Sequence, residues 1–232
     1  MRERVVVSGG SGGIGAALCR ILADKGLEPV VGYASGRQRA EALAREIGGA
    51  ALALDLMRPE AIDAAVDALA EGPPIAGVVL AAAPAPSLAR FGRIDEAEME
   101  RSWRIQVLGP QRLLAGAIKR WLRPRKRGVV LGVLSAAMGA GDGSGAMASM
   151  GGYVIGKYGM QGVLAACAAD HPWLAVRSLS PGFTRTAMLE TFDARFVAKL
   201  DEAGRVGEPE AVAQDIADVF LDALPERGEP PR

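Results

Sequence analysis

Val5-Val6-Val7-Ser8-Gly9-Gly10-Ser11-Gly12-Gly13-Ile14-Gly15-Ala16-Ala17-Leu18 runs from a short apolar stretch through a glycine-rich turn into a segment whose Ile14, Leu18, Ile21 and Leu22 recur at helical spacing. The pattern reads as strand, tight turn and helix. Glycine suits such a turn because the backbone has to reverse sharply and come close to a ligand. The first N–H groups of the helix then point at that ligand without partners, a ready site for phosphate oxygens. A GxxxGxG string is weak evidence by itself. It gains meaning from Tyr153-Val154-Ile155-Gly156-Lys157 far downstream, with Ser135 before it.

Working outward, further apolar runs at Pro29 to Tyr33, Ala51 to Leu54, Ala76 to Leu80, Val129 to Leu134 and Val176 to Leu179 alternate with alanine-rich helical stretches. Repeated strand–helix alternation predicts an α/β fold, a doubly wound parallel sheet covered by helices on both faces, with ligands at the carboxyl ends of the strands. The 232 residues suit one domain, taken as 1–232, with substrate loops at 138–152 and 184–206. Residues 138–152, rich in glycine, alanine and methionine, read as a mobile loop. After a helix around Ala211 to Leu224, the tail from Pro225 to Arg232 carries no apolar run for a seventh strand.

Twenty-seven basic and 27 acidic residues balance, so the overall charge gives no reason to expect nucleic acid or an anionic membrane as partner. The cations Lys119, Arg120, Arg123, Arg125, Lys126 and Arg127 cluster at the expected end of a long helix. There they complement the helix dipole and face water. Cys19 and Cys167 fit no metal-ligand spacing and read as reduced thiols, and His171 reads as a helix-end residue, so no metal is expected. No apolar stretch approaches the length of a membrane span. The expectation is a cytoplasmic protein acting on small molecules.

Tyr153 and Lys157, four apart on a helix, share a face. A phenol with a free pKa of about 10 is a poor acid or base at neutral pH, and a nearby ammonium is expected to lower that value by favouring phenolate.

The ordered set of glycine-rich turn, Ser135, Tyr153/Lys157 and Pro181-Gly182 resembles the short-chain dehydrogenase/reductase family, from Arg4 to about Leu224, including its 3-oxoacyl-carrier-protein reductase-like members. The resemblance implies a Rossmann-type domain lacking the usual final strand, which puts a tetramer in doubt and leaves a homodimer through two long helices. It implies a nicotinamide cofactor on Gly9, Ser11, Gly12, Gly13, Ile14 and Gly15, with Asp55 and Leu56 at the adenine. An alternative for Asp55 is a cap on the helix starting near Pro59. The family's Asn-Asn-Ala-Gly is replaced by Ala81-Ala82-Ala83-Pro84, so Ala81 and Ala82 form an altered floor. Pro181, Gly182, Thr184 and Thr186 correspond to the turn that contacts the nicotinamide carboxamide and pyrophosphate.

The chemistry implied is transfer of hydride between nicotinamide and a carbonyl or secondary alcohol, with Tyr153 as acid/base. Lys157 holds the ribose hydroxyls, Ser135 orients the substrate oxygen, and Gln106 stands where the family has a water-holding asparagine. An alignment pivoting on Gly139 would put Ala136 in place of Ser135. After the second strand, Gly32 to Arg39 contains no carboxylate for an unmodified ribose, while Ser35 and Arg37 suit a 2′-phosphate, so NADP(H) is favoured over NAD(H). Arg37 and Arg39 also fit a solvated helix start.

Met188, Leu189, Phe192 and Phe196 recur at helical spacing and read as an amphipathic lid or as ordinary core, and Met138, Met147 and Met150 as lining of the same pocket or as loop filler. Two other functions are open to the sequence: a cofactor-binding sensor or structural subunit with little turnover, and nucleic-acid binding through the basic cluster.

Overall fold

The structure is a computed structural model that describes residues 2–140 and 144–224. Part of the glycine-rich loop, residues 141–143, and the tail from 225 onward lie outside the described residues. Neither the mobility expected of that loop segment nor the strandless reading of the tail is addressed by it.

Six strands form one parallel sheet: β1 (Arg4–Ser8), β2 (Glu28–Tyr33), β3 (Ala50–Ala53), β4 (Ile75–Leu80), β5 (Val129–Val133) and β6 (Ala175–Leu179), in the order β3-β2-β1-β4-β5-β6. β1, β4 and β5 are buried at every residue, which is why they read as continuous apolar runs. Period-two alternation splits their side chains between two cores. Val5 and Val7 of β1 and Val129, Leu131 and Val133 of β5 face one, while Val6 and Val130 face the other.

The first core is closed by α1 (Gly13–Asp24), α2 (Arg37–Ile47) and α8 (Pro209–Asp222), and the second by α3 (Pro59–Ala68), α5 (Gly109–Ala117) and α6 (Gly151–Asp170). Gly77 in β4 allows this packing: a Cβ there would stand 2.8 Å from the ring of Phe220 on α8. The strand order reverses at β1, so a crevice opens between the carboxyl ends of β1 and β4, where such sheets bind ligands.

Three local features depart from the periodicity. Between α4 (Glu96–Trp103) and α5 the helix is π-wound over Arg104–Leu108, and again over Ile118–Leu122 after α5. The expected continuous lid is broken. A 3₁₀ turn, Ala187–Thr191, is separated from α7 (Ala194–Glu202) by Phe192 and Asp193, and the Asp193 side chain caps α7. A second, small sheet pairs β7 (Phe183–Thr184) with β8 (Val206–Gly207) in parallel. Arg185 tightens this corner by bonding Asp201 at 2.7 Å and Glu208 at 2.8 Å.

Five of the six cations of the basic cluster are exposed, as expected, and Arg127 is half-buried. Arg125 bonds the buried Glu3 at 2.8 Å, Arg127 lies 3.6 Å from the same carboxylate, and Arg120 pairs with Asp67. Among the described residues no helix is long and apolar enough to cross a membrane.

Candidate active site

The turn after β1 has the shape its glycines suggested. Gly9 adopts φ +68°, in the left-handed region that favours glycine. A Cβ on Gly15 would run into the Gly9 carbonyl oxygen, and one on Gly13 would stand 2.6 Å from the Thr186 methyl. Gly12 caps α1 without a side-chain hydrogen bond, so no capping side chain takes up the first N–H groups of the helix. This is a cradle that a Cβ would fill, ending in N–H groups suited to an anion, and it fits the pyrophosphate of a dinucleotide. Residues Gly9 to Gly15 and Thr186 would hold that group, with Ile14 lining the cavity beyond.

The altered floor is secured by a residue the sequence reading left out. The N–H groups of Ala81 and Ala82 donate to Ser8 Oγ at 3.1 and 3.3 Å, and Ser8 is buried. Where the family pattern has amide side chains, this chain fastens the end of β4 to the end of β1 through one hydroxyl.

At the adenosine end, Asp55 Oδ1 accepts from Met57 N–H at 2.9 Å and its carbonyl accepts from Arg58 N–H, so Asp55 closes an Asx turn. It does not cap α3, whose N-cap is Arg58. The Leu56 side chain is in the core against Gly109, leaving only its backbone for any adenine contact. Ser35 is exposed. Arg37 is exposed and ion-paired at 2.7 Å with Glu41 one turn along α2. Arg39 instead lies over the turn: a Cβ on Gly36 would stand 3.0 Å from its guanidinium and 2.9 Å from Ser11 Oγ. Arg39, Gly36 and Ser11 therefore converge on one spot, and Arg37 points elsewhere.

The chemical half gathers around β5 and α6. Ser135 follows β5, caps a 3₁₀ turn and accepts a hydrogen bond from Ala137 N–H at 3.2 Å. Its side chain shares a hydrogen bond with Tyr153, so this serine, and not Ala136, meets the phenol. Lys157 lies with Nζ 5.5 Å from the centre of the Tyr153 ring and donates to Val133 O at 2.6 Å.

The expectation that the ammonium lowers the phenol's pKa is corrected. Burial pushes Tyr153 up from its ordinary 10, partly offset by the bond to Ser135. Lys157 is itself pulled down to about 7 by burial. In the protein alone, desolvation is the largest effect on both groups, because both are withdrawn from water.

Gln106 lies in the π-wound turn, fully buried. Its Nε2 donates to Ser102 Oγ at 2.7 Å and to Tyr153 O at 3.4 Å, and Ser102 Oγ donates to Gly152 O at 2.8 Å. Its Oε1 has no partner among the described residues. Gly156 leaves room for this amide, since a Cβ there would collide with Nε2. Gln106 thus ties the end of α4 to the backbone of α6 beneath the tyrosine.

A cavity of about 640 Å³ joins these parts, from Ile14 and Ala81 past Ser135, Tyr153 and Lys157 to Pro181, Gly182, Thr184 and Thr186. Its outer wall is apolar: Met147, Met150, Met188, Leu189, Phe192 and Phe196. Met138, expected there, is in the core beneath the sheet. Phe183 and Arg205, absent from the sequence reading of the pocket, complete the wall.

The model of the short chain dehydrogenase family matches residues 3–195, and the chain belongs to this family of nicotinamide-dependent oxidoreductases. Among curated relatives it is 31% identical over 228 residues to the 3-oxoacyl-[acyl-carrier-protein] reductase FabG of Aggregatibacter actinomycetemcomitans, covering 93% of this chain and 90% of that one. It is 28% identical over 231 residues to a cis-4-hydroxycyclohexanecarboxylate dehydrogenase of Sinomonas cyclohexanicum, covering 95% and 90%. Among solved structures, the angucycline C-6 ketoreductase LanV with bound NADP superposes with a TM-score of 0.82 at 21% identity, over 94% of this chain and 88% of that one. A short-chain dehydrogenase/reductase from Serratia marcescens gives 0.81 at 23%, over 94% and 90%. These two likenesses bear on the fold.

Proposed function

We propose that the protein is an NADP(H)-dependent reductase of a ketone, or dehydrogenase of the matching secondary alcohol, with Tyr153 as the proton donor and acceptor. The observation that carries this is the convergence of Ser135, Tyr153 and Lys157 at the carboxyl end of β5, opening into an apolar cavity beside the glycine cradle. The naming of one relative for a ketoacyl substrate and another for a hydroxy acid supports carbonyl–alcohol chemistry. LanV, described with NADP, supports the choice of cofactor.

The cofactor, when bound, supplies or accepts the hydride. The chain's own groups do the rest. The Ser135 hydroxyl and the Tyr153 phenol orient a carbonyl oxygen between them. A phenol held protonated by burial has the proton ready to deliver as negative charge grows on that oxygen. Lys157 lies under the ring, where its protonated form stabilises the phenolate left behind, and its Nζ suits ribose hydroxyls. Gln106 is a positioning residue, holding the α6 backbone at Gly152 and Tyr153 through its amide and Ser102. The apolar wall excludes water. Arg39 with Ser11 is the better candidate for the 2′-phosphate, and Ser35 and Arg37 stand nearer solvent.

The expected homodimer is retained as part of this proposal, through the face of α4 and α5 where Trp103 and Leu108 stand partly exposed. Sedimentation equilibrium tests it, and a monomer at micromolar concentration would exclude it.

The test of function is a parallel titration with NADPH and NADH, followed by turnover of a ketone panel with Tyr153→Phe as control. We expect tighter NADPH binding and turnover that falls by several orders of magnitude in the variant, whose buried ring keeps its packing. Full activity in Tyr153→Phe would sink the mechanism, and tighter NADH binding would reverse the cofactor choice.

A further inference from the structure

The cavity described above has an asymmetric distribution of charge. Among the described residues that line it, two are cations, Lys157 and Arg205, and none is an aspartate or glutamate. Lys157 is at the floor, buried and committed to Val133 O. Arg205 is exposed and without an ion pair among the described residues. Of the carboxylates near it in sequence, Asp201 and Glu208 are both taken by Arg185 at 2.7 and 2.8 Å, while Glu202 is exposed on α7. Arg185 thus holds two of the nearby acids, and the exposed Arg205 guanidinium lines the cavity.

The backbone that carries Arg205 is held firmly. Gly204, at φ +64°, reverses the chain after α7, and Arg205 N–H donates to Leu200 O at 2.8 Å. The next residue, Val206, pairs in β8 with Phe183 of β7. Phe183 in turn meets the rings of Phe192 and Phe196 edge-on, with centroids 5.5 and 5.7 Å apart, while Phe192 and Phe196 lie face to face at 5.7 Å. A three-ring wall and an arginine are therefore fixed to each other through one short strand pair.

A cation at the rim of an apolar cavity attracts an anion more strongly than one in open water, and a guanidinium offers paired donors for carboxylate or phosphate oxygens. We infer that Arg205 anchors an anionic group of the substrate. The compound taken by this site then bears a carboxylate or phosphate at one end, a flat or ring-shaped apolar body against Phe183, Phe192 and Phe196, and the reacting carbonyl at Tyr153. The substrate class rests on the proposed carbonyl chemistry, and the anion anchor itself rests on the placement of Arg205.

The test uses the full-length protein and 4-acetylbenzoate, 4-acetylphenyl phosphate and the uncharged 4-acetylbenzamide as probes. Calorimetry with the NADP⁺-loaded protein measures the affinity of each without requiring turnover, and steady-state kinetics with NADPH measures KM and kcat. The wild type should favour an anionic probe over the amide by about tenfold, the scale of one charge-assisted contact near solvent. Arg205→Met, which keeps the apolar stem, should erase that preference, seen as a rise in KM for the anion that exceeds any change in kcat. Arg195→Met, on the exposed side of α7, should retain it.

The arm that shows the preference, carboxylate or phosphate, identifies the anion. Equal binding of all three probes by the wild type, or a preference that survives in Arg205→Met, would overturn the inference. A loss in Arg205→Met that is as large for NADPH as for the anionic probe would place Arg205 on the cofactor and overturn it too. Preference in binding with no turnover of any ketone would uphold the anchor and count against the enzymatic function instead.

Discussion

Replacing Lys157 by methionine should make the protein more stable while removing its activity, and the gain should depend on pH in a defined way. The lysine is buried, and burial lowers its pKa from the ordinary 10.5 to about 7. An unfolded chain keeps the ordinary value, so between pH 7 and 10.5 the unfolded state holds a proton that the folded state has released. Stability of the wild type then rises with pH at about 1.4 kcal/mol per pH unit across that interval. Below pH 7 both states are protonated and the full cost of burying the ammonium, roughly 5 kcal/mol, is present.

Methionine fills the space without that cost but leaves Val133 O without its donor at 2.6 Å, a loss of about 1–3 kcal/mol. The net gain at pH 6 is therefore about 2–4 kcal/mol. By pH 9, two units into the interval, it should have shrunk by about 2.7 kcal/mol, to near zero. Urea unfolding of both proteins at pH 6 and pH 9, without cofactor, reads the difference directly, and other titrating groups cancel between wild type and variant. A difference that stays constant across that range would mean Lys157 does not titrate there, and a variant less stable at pH 6 would refute the desolvation argument outright.

Two further perturbations test the cofactor half. Ser8→Ala takes away the hydroxyl that accepts from Ala81 and Ala82, and should cost about 1–3 kcal/mol in urea unfolding together with weaker binding of NADPH and NADH alike; unchanged stability would show that the floor does not depend on Ser8. Arg39→Ala should weaken NADPH by roughly tenfold with little effect on NADH, whereas Arg37→Ala should do much less, since Glu41 already holds that guanidinium. A larger effect from Arg37 in a fluorescence titration would restore it as the phosphate ligand.

The fold and the chemical centre were legible where residue identity constrains the backbone or where a spacing has one geometric meaning. Buried β1, β4 and β5 announce themselves as apolar runs, the Gly9–Gly15 turn permits few alternatives, and Tyr153 and Lys157 can only share a helix face. What remained illegible depends on choices between competing partners. Nothing in the local sequence says that Arg185 takes both Asp201 and Glu208, or that Arg205 lines the cavity. The two-residue strands β7 and β8 are too short for any periodicity, and the break at Phe192–Asp193 interrupts a spacing that looked continuous. Ser8 was visible as a residue, but its role requires knowing that β1 and β4 are neighbours.

That last point bears on whether the departures from the family pattern weaken the site. The amides missing at Ala81 and Ala82 and the exchange to Gln106 look like losses when read one position at a time. In the structure each is accommodated by its neighbours, although Gln106 Oε1 stays without a partner among the described residues. Ser8 Oγ takes both N–H groups at the end of β4, and the longer Gln106 side chain finds space because Ser102 and Gly156 are small. A cofactor-binding protein relieved of catalysis would have no need to keep a buried amide tied to the backbone of its tyrosine, nor a lysine buried at an energetic cost beneath that ring. Such costs are retained where a group has work to do on a ligand, and this favours turnover over a purely structural role.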